Sequence, residues 1–367
     1  MFLDGILLFA PFHSMSLKMA VRYFIRSIVA TPALGITLFF VSPLLNAQSV
    51  PSLIPSTKAE DWPIRRAAIL DGMQQVMGEL PSRDSLPPVA TQVVSQVDSD
   101  PNILVEALRF ESEPDVWVPS YLLIPKQPSN QPRPAVLCLH QTIPIGKGEP
   151  VGLGGEPNLH YAIELARRGF IALAPDYPSF GEYRYDFANN RKWKSGSLKA
   201  IWDNMRAIDL LVARSDVDAT KIGCIGHSLG GHNTIFTSVF DERIKVAVSS
   251  CGFTSFRKYY GGKLNGWTSD RYMPRIATEY DLAPDRVPFD FPQMIAAIAP
   301  RAFFSNSPQH DENFDCDGVR ESIEAARPVF EALGVPDNLQ VIYPDCAHDF
   351  PPEAREAAYR FLEDKLR

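Results

Sequence analysis

The chain has 367 residues, 45% of them apolar and 22% charged, with a formal net charge of −7. That composition excludes a disordered or collagen-like chain and gives enough length for one large core. With an acidic balance and no lysine or arginine run to track a phosphate backbone, nucleic acid is not expected as a partner.

At the N-terminus, Lys18, Arg22 and Arg26 precede a stretch from Ser27 to Leu45 that carries no charge and ends at Leu45-Asn46-Ala47, before polar Gln48 and Ser49. A basic region, an apolar region and a small boundary residue are the grammar of a secretory signal peptide. Residues 1–47 are therefore expected to direct export, periplasmic or secreted, and to be removed. Asp4 and the apolar patch around it fit that grammar poorly, which makes Met15 or Met19 an alternative start. The competing reading is an uncleaved membrane anchor. Nineteen uncharged residues can just span a bilayer, but Pro32, Gly35 and Pro43 make a poor permanent helix. No stable membrane span is expected once the leader is gone.

Residues 48–101 are rich in Pro and Ser around one helix-like piece, Ile64 to Leu80, and read as an N-terminal extension packed on the main domain. Asn102 to Ser112 and Asp115 to Pro125 then alternate apolar and polar residues, as an antiparallel hairpin at a sheet edge does. Beyond them come mainly apolar runs at Ala135–Leu139, Ile171–Ala174, Ile222–Ile225, Val246–Ser249, Ala302–Phe304 and Leu339–Tyr343. Such runs suit parallel strands buried on both faces. Helix-period segments separate them: Leu159–Arg168, Ser197–Arg214, Asn233–Phe240, Val319–Leu333 and Pro352–Leu366. The predicted fold of residues 102–367 is therefore α/β, a doubly wound and mostly parallel sheet. The beat fails once, between Cys251 and Pro300, where Tyr259, Tyr260, Trp267 and Tyr272 crowd a stretch without strand signals. Residues of about 252–300 are expected to form an inserted cap over the site.

The chemistry centres on Gly226-His227-Ser228-Leu229-Gly230. A serine hydroxyl is inert at neutral pH unless a base takes its proton and donors hold the oxyanion that forms. Here a buried strand precedes the motif and a helix follows, so the turn thrusts Ser228 above the sheet. The backbone N–H of Leu229 is one expected oxyanion donor. The second is expected from His140-Gln141-Thr142 after the strand Ala135–Leu139, with Thr142 favoured and Gln141 next. The base should follow the last strand and precede the last helix, which selects His348, with His310 as its rival. The acid should follow Ala302–Phe304, where Asp311, Glu312, Asp315 and Asp317 stand; Asp311 is favoured and Asp315 is next.

Two other features bear on chemistry. The five cysteines, Cys138, Cys224, Cys251, Cys316 and Cys346, show no C-x-x-C spacing, and no metal site is expected of them. An oxidising compartment would let Cys316 and Cys346 pair, although unpaired thiols are the simpler reading. Asn313-Phe314-Asp315-Cys316-Asp317-Gly318, with Glu324, matches a calcium loop imperfectly: Asn replaces the usual first Asp, and a strand precedes it.

From about Pro132 onward the chain resembles the dienelactone hydrolase-like and acetyl xylan esterase-like branch of the α/β-hydrolase superfamily. Leu139-His140, Ala174-Pro175-Asp176-Tyr177, Gly226-His227-Ser228-Leu229-Gly230-Gly231, the acidic loop and Ala347-His348-Asp349-Phe350 carry the likeness. The serine turn also looks like that of the prolyl oligopeptidase-type catalytic domain, which normally adds a propeller that this sequence lacks. The resemblance implies hydrolysis through an acyl-enzyme without a cofactor. Serine in place of the cysteine of dienelactone hydrolases points towards carboxylic esters, and export towards esters of carbohydrates. A serine peptidase and a non-catalytic binding protein of the same fold are the alternatives.

Overall fold

The structure, a computed structural model, describes residues 59–97, 100–190 and 192–367. The leader predicted over residues 1–47 lies outside the described residues. The first long element is helix α1 (Trp62–Met77), whose Ile69, Met73 and Val76 return at helical spacing and are fully buried. They dock against the later helices that cover one face of the sheet.

Strand β1 (Thr91–Val97) follows, paired antiparallel with β2 (Ile103–Glu113), which pairs antiparallel with β3 (Val116–Pro125). The predicted hairpin is therefore β2 and β3, but it is not the edge. The edge is β1, inside the segment read as an extension. Its residues are exposed on both faces, so Thr91-Gln92-Val93-Val94-Ser95-Gln96-Val97 carries no alternation from which a strand is legible.

The apolar runs become β4 (Arg133–Leu139), then helix α2 (Tyr161–Arg167) and β5 (Ile171–Pro175), then helix α3 (Gly196–Val212) and β6 (Val217–His227). Helix α4 (Leu229–Phe240), β7 (Ile244–Ser250), the short helix α5 (Arg275–Thr278), helix α6 (Phe291–Ile298) and β8 (Ala302–Asn306) come next. Helix α7 (Cys316–Ala332), β9 (Leu339–Ile342) and helix α8 (Pro352–Leu366) complete the chain. The nine strands among the described residues lie in the order β1-β2-β3-β5-β4-β6-β7-β8-β9. From β5 to β9 every neighbouring pair is parallel.

Side chains alternate across that sheet and feed two apolar layers. Val246, Val248, Ala302 and Phe304 meet α2 and α8, whereas Ala247, Phe303 and Leu339 meet the layer of α3, α4, α6 and α7. This is the doubly wound, mostly parallel architecture expected. Helix α6 was not anticipated: it lies at the end of the stretch read as an insertion and supplies the crossover between parallel β7 and β8. All but one of its residues are buried, so Phe-Pro-Gln-Met-Ile-Ala-Ala-Ile shows no polar face to betray a helix. Asp290 and Gln293 close its N-terminus with a reciprocal capping box.

Candidate active site

In open α/β sheets a site forms beyond the carboxyl ends of the strands. Here four strands end in chemically useful residues: β4 in His140-Gln141-Thr142, β6 in Ser228, β8 in the loop to Asp311, and β9 in the loop to His348.

Ser228 sits between β6 and α4 with φ 53° and ψ −115°, a conformation that costs a non-glycine residue about 1–3 kcal/mol. The fold over-determines it. Ser228 N–H donates to Ser250 O at 2.8 Å, and His232 N–H donates to Ser228 O at 3.0 Å. The flanking glycines are required by space: a Cβ on Gly226 would stand 2.3 Å from the carbonyl of Gly230, and one on Gly230 only 1.9 Å from Leu139 O.

Ser228 and His348 line one cavity of about 310 Å³. His348 Nδ1 donates to Asp311 Oδ2 at 2.8 Å, and Asp311 Oδ1 accepts from the backbone amides of Asn313 (2.8 Å) and Phe314 (3.1 Å). The Asp311 carboxylate is thereby aimed as well as buried. Asp315 does different work, capping α7 by accepting from Gly318 N–H at 3.0 Å. Glu312 is exposed, and Asp317 lies in the first turn of α7. The rival base His310 is at the surface, bonded to Asp345 at 2.7 Å.

The loop carrying His348 is clamped through its neighbour. Asn306 Nδ2 donates to Asp349 O at 2.9 Å, and Asn158 Nδ2 donates to the Asp349 carboxylate at 2.8 and 3.1 Å. Asn306 also donates to Ser250 Oγ, which meets His227 Nδ1 at 2.9 Å, and the His227 ring stands edge-on to His348 at 4.8 Å. Burial, reinforced by the nearby His348, holds the pKa of His227 well below the ordinary histidine value. The ring is therefore neutral beside the base.

Thr142 and Leu229 line the same cavity. Tyr177 N–H donates to His140 Nε2 at 2.9 Å, leaving Nδ1 as the donor to Gln141 O at 2.6 Å. A planar trans peptide puts the N–H of Thr142 opposite that pinned carbonyl. Among the described residues neither the Gln141 nor the Thr142 amide donates a hydrogen bond. Further along, Lys147 anchors the loop: it is buried, donates Nζ to Asp176 Oδ2 at 2.9 Å and its amide to Oδ1 at 2.8 Å. Sequence reasoning gave no role to His140, Lys147 or Asn306, since nothing in spacing connects 140 to 177 or 306 to 349.

The rest of the cavity is largely aromatic. Trp267 lies 5.4 Å from Tyr259 and 5.9 Å from Tyr272 between ring centroids, and Phe314 stacks on His348 at 6.0 Å. By contrast Tyr177 and Tyr183, which follow β5, are buried outside it.

The calcium-loop spacing does not describe a cation site. Residues 316–332 are helical, which withdraws Asp317, Gly318 and Glu324 from any ligand loop, while Asp315 is committed as a cap. Among the described residues the group able to converge on a metal is His227, Cys251 and His348, with ligand atoms within 4.8 Å of one another. Burial pushes the Cys251 thiol pKa well up. All five cysteines are free; Cys316 Sγ meets Ser307 O rather than Cys346. No described helix is long and apolar enough to cross a membrane.

Comparison with known proteins bears on the family and the fold. The model of the prolyl oligopeptidase family matches residues 158–365. The Bacillus subtilis protein YtaP is 28% identical over 308 residues, covering 80% of this chain and 97% of its own. A glucuronoyl esterase from Solibacter usitatus superposes with a TM-score of 0.71 at 19% identity, over 87% of this chain and 98% of that one. An acetyl xylan esterase from Paenibacillus sp. R4 gives 0.56 at 21% identity, over 88% and 100%. At such identities the two structures speak for a shared fold.

Proposed function

Because the chain belongs to the prolyl oligopeptidase family, we propose that it is a serine hydrolase acting on carboxylic esters, with Ser228 as nucleophile, His348 as base and Asp311 as the acid that orients it. The observation that carries this reading is one cavity holding both Ser228 on its strained turn and a His348 whose Nδ1 is engaged by Asp311. That hydrogen bond leaves Nε2 of His348 as the acceptor for the serine proton. The serine oxygen attacks the ester carbonyl, and the imidazolium returns the proton to the departing alcohol. Water then cleaves the acyl-enzyme by the same route in reverse. The amides of Leu229 and Thr142 are the donors to the oxyanion; the pinning of Gln141 O by His140 supports Thr142. No cofactor enters the scheme.

Esterases of carbohydrate among the proteins of similar fold favour an acetylated or otherwise esterified saccharide as substrate. The second reading, peptide hydrolysis, is favoured by the family model itself, and an acyl-enzyme serves either bond. A non-catalytic binding protein is disfavoured because serine, base and acid are all retained. The leader read from residues 1–47 supports export; N-terminal sequencing of the cell-envelope or extracellular protein is expected to begin near Gln48.

The test is direct. A fluorophosphonate probe is expected to label the purified protein, and Ser228→Ala to abolish both labelling and p-nitrophenyl acetate hydrolysis. Folded protein that takes no label would overturn the hydrolase reading, and faster cleavage of peptide amides than of matched esters would favour the peptidase.

A further inference from the structure

The cavity beside Ser228 has two properties that catalysis at the serine does not use. No Asp, Glu, Lys or Arg lines it among the described residues. His232, one helical turn beyond Ser228 on α4, also lines it, yet its ring hydrogen-bonds to nothing among the described residues. The imidazole is instead held by aromatic edges, at 5.2 Å from Trp267, 5.6 Å from Tyr272 and 5.5 Å from Phe236.

Buried polar groups are normally paired, and those left open beside a cavity are the ones a ligand can satisfy. Aromatic faces accept the apolar face of a saturated ring, while an imidazole nitrogen suits a hydroxyl. A carboxylate or phosphate brought here would lose its water without gaining a counter-charge. Burial lowers the pKa of His232 to about 3, so the imidazole is neutral near pH 7.

We infer that this cavity seats an uncharged, hydroxyl-bearing ring of the substrate, and that His232 hydrogen-bonds one of its hydroxyls. The inference rests on the ester-hydrolase reading for what happens at Ser228, but its test does not depend on turnover.

In the Ser228→Ala protein, calorimetric titration with xylotriose is expected to give binding at least tenfold tighter than with trigalacturonate, a saccharide of the same length that carries carboxylates. His232→Phe on that background keeps the ring and removes its nitrogens, and is expected to weaken xylotriose about tenfold, the loss of one hydrogen bond. His232→Gln should recover part of it. With Ser228 intact, His232→Phe is expected to raise KM for acetylated xylotriose more than it lowers kcat. Equal or tighter binding of trigalacturonate, no measurable binding of xylotriose, or a His232→Phe protein within twofold of its parent would each overturn the inference. Failure of the hydrolase reading looks different: it is absence of fluorophosphonate labelling, whatever the titrations give.

Discussion

His348 Nδ1 and Asp311 Oδ2 face each other at 2.8 Å, while the other oxygen of Asp311 is held by two backbone amides. An asparagine at 311 cannot accept from Nδ1 and hold the amides in the same way. Asp311→Asn is expected to lower kcat by about three to four orders of magnitude, as loss of the orienting acid does in a serine triad. Asp315→Ala removes the cap of α7 and is expected to cost about 1 kcal/mol of stability while leaving turnover within threefold. Steady-state kinetics and urea unfolding on the pair separate the two carboxylates.

Gly230 has no room for a side chain, because the atom a Cβ would strike at 1.9 Å is the backbone oxygen of Leu139 at the end of β4. A backbone obstacle cannot rotate away. Gly230→Ala is expected to lose about 3 kcal/mol or more of stability, or to fail to fold, with a corresponding fall in the urea midpoint.

The proposed oxyanion donor at 142 is a main-chain group, so its test is removal of the N–H. Thr142→Pro is expected to reduce kcat by about two to three orders of magnitude. Thr142→Ala retains the amide and should fall at least tenfold less. Equal losses in the two variants would remove Thr142 N–H from the oxyanion site.

Three buried imidazoles bind their protons more weakly in the fold than outside it. Burial lowers the pKa of His140, His227 and His232, the last to about 3. Between the lowered values and the ordinary histidine value near 6.5 the unfolded chain holds more protons, so stability rises with pH. Their contribution is complete above about pH 6.5 and is lost as pH falls through that window, by up to about 1.4 kcal/mol per pH unit for each ring. His232→Phe is expected to reduce the slope of unfolding free energy between pH 4 and 6 by about one proton, measured by urea unfolding across that range.

Much of this protein was legible along the chain because the relevant physics is local. Continuous apolar runs give strands buried on both faces, helix-period segments give the crossovers, and the order of serine, acid and histidine follows those elements. The strand-turn-helix around Ser228 could be read the same way, since Gly226 and Gly230 lie within the motif they serve. What only the tertiary structure decided depends on groups distant in sequence. Asp311 stands against His348 while Asp315, four residues on, caps a helix; a spacing pattern cannot rank two carboxylates in one loop. Strand β1 and helix α6 escaped notice because one is exposed on every side and the other buried nearly all round, and neither leaves a period to read. The pinning of Gln141 by His140, the grip of Asn306 on Asp349 and the aromatic surround of His232 exist only once the strands from β4 to β9 bring their ends together.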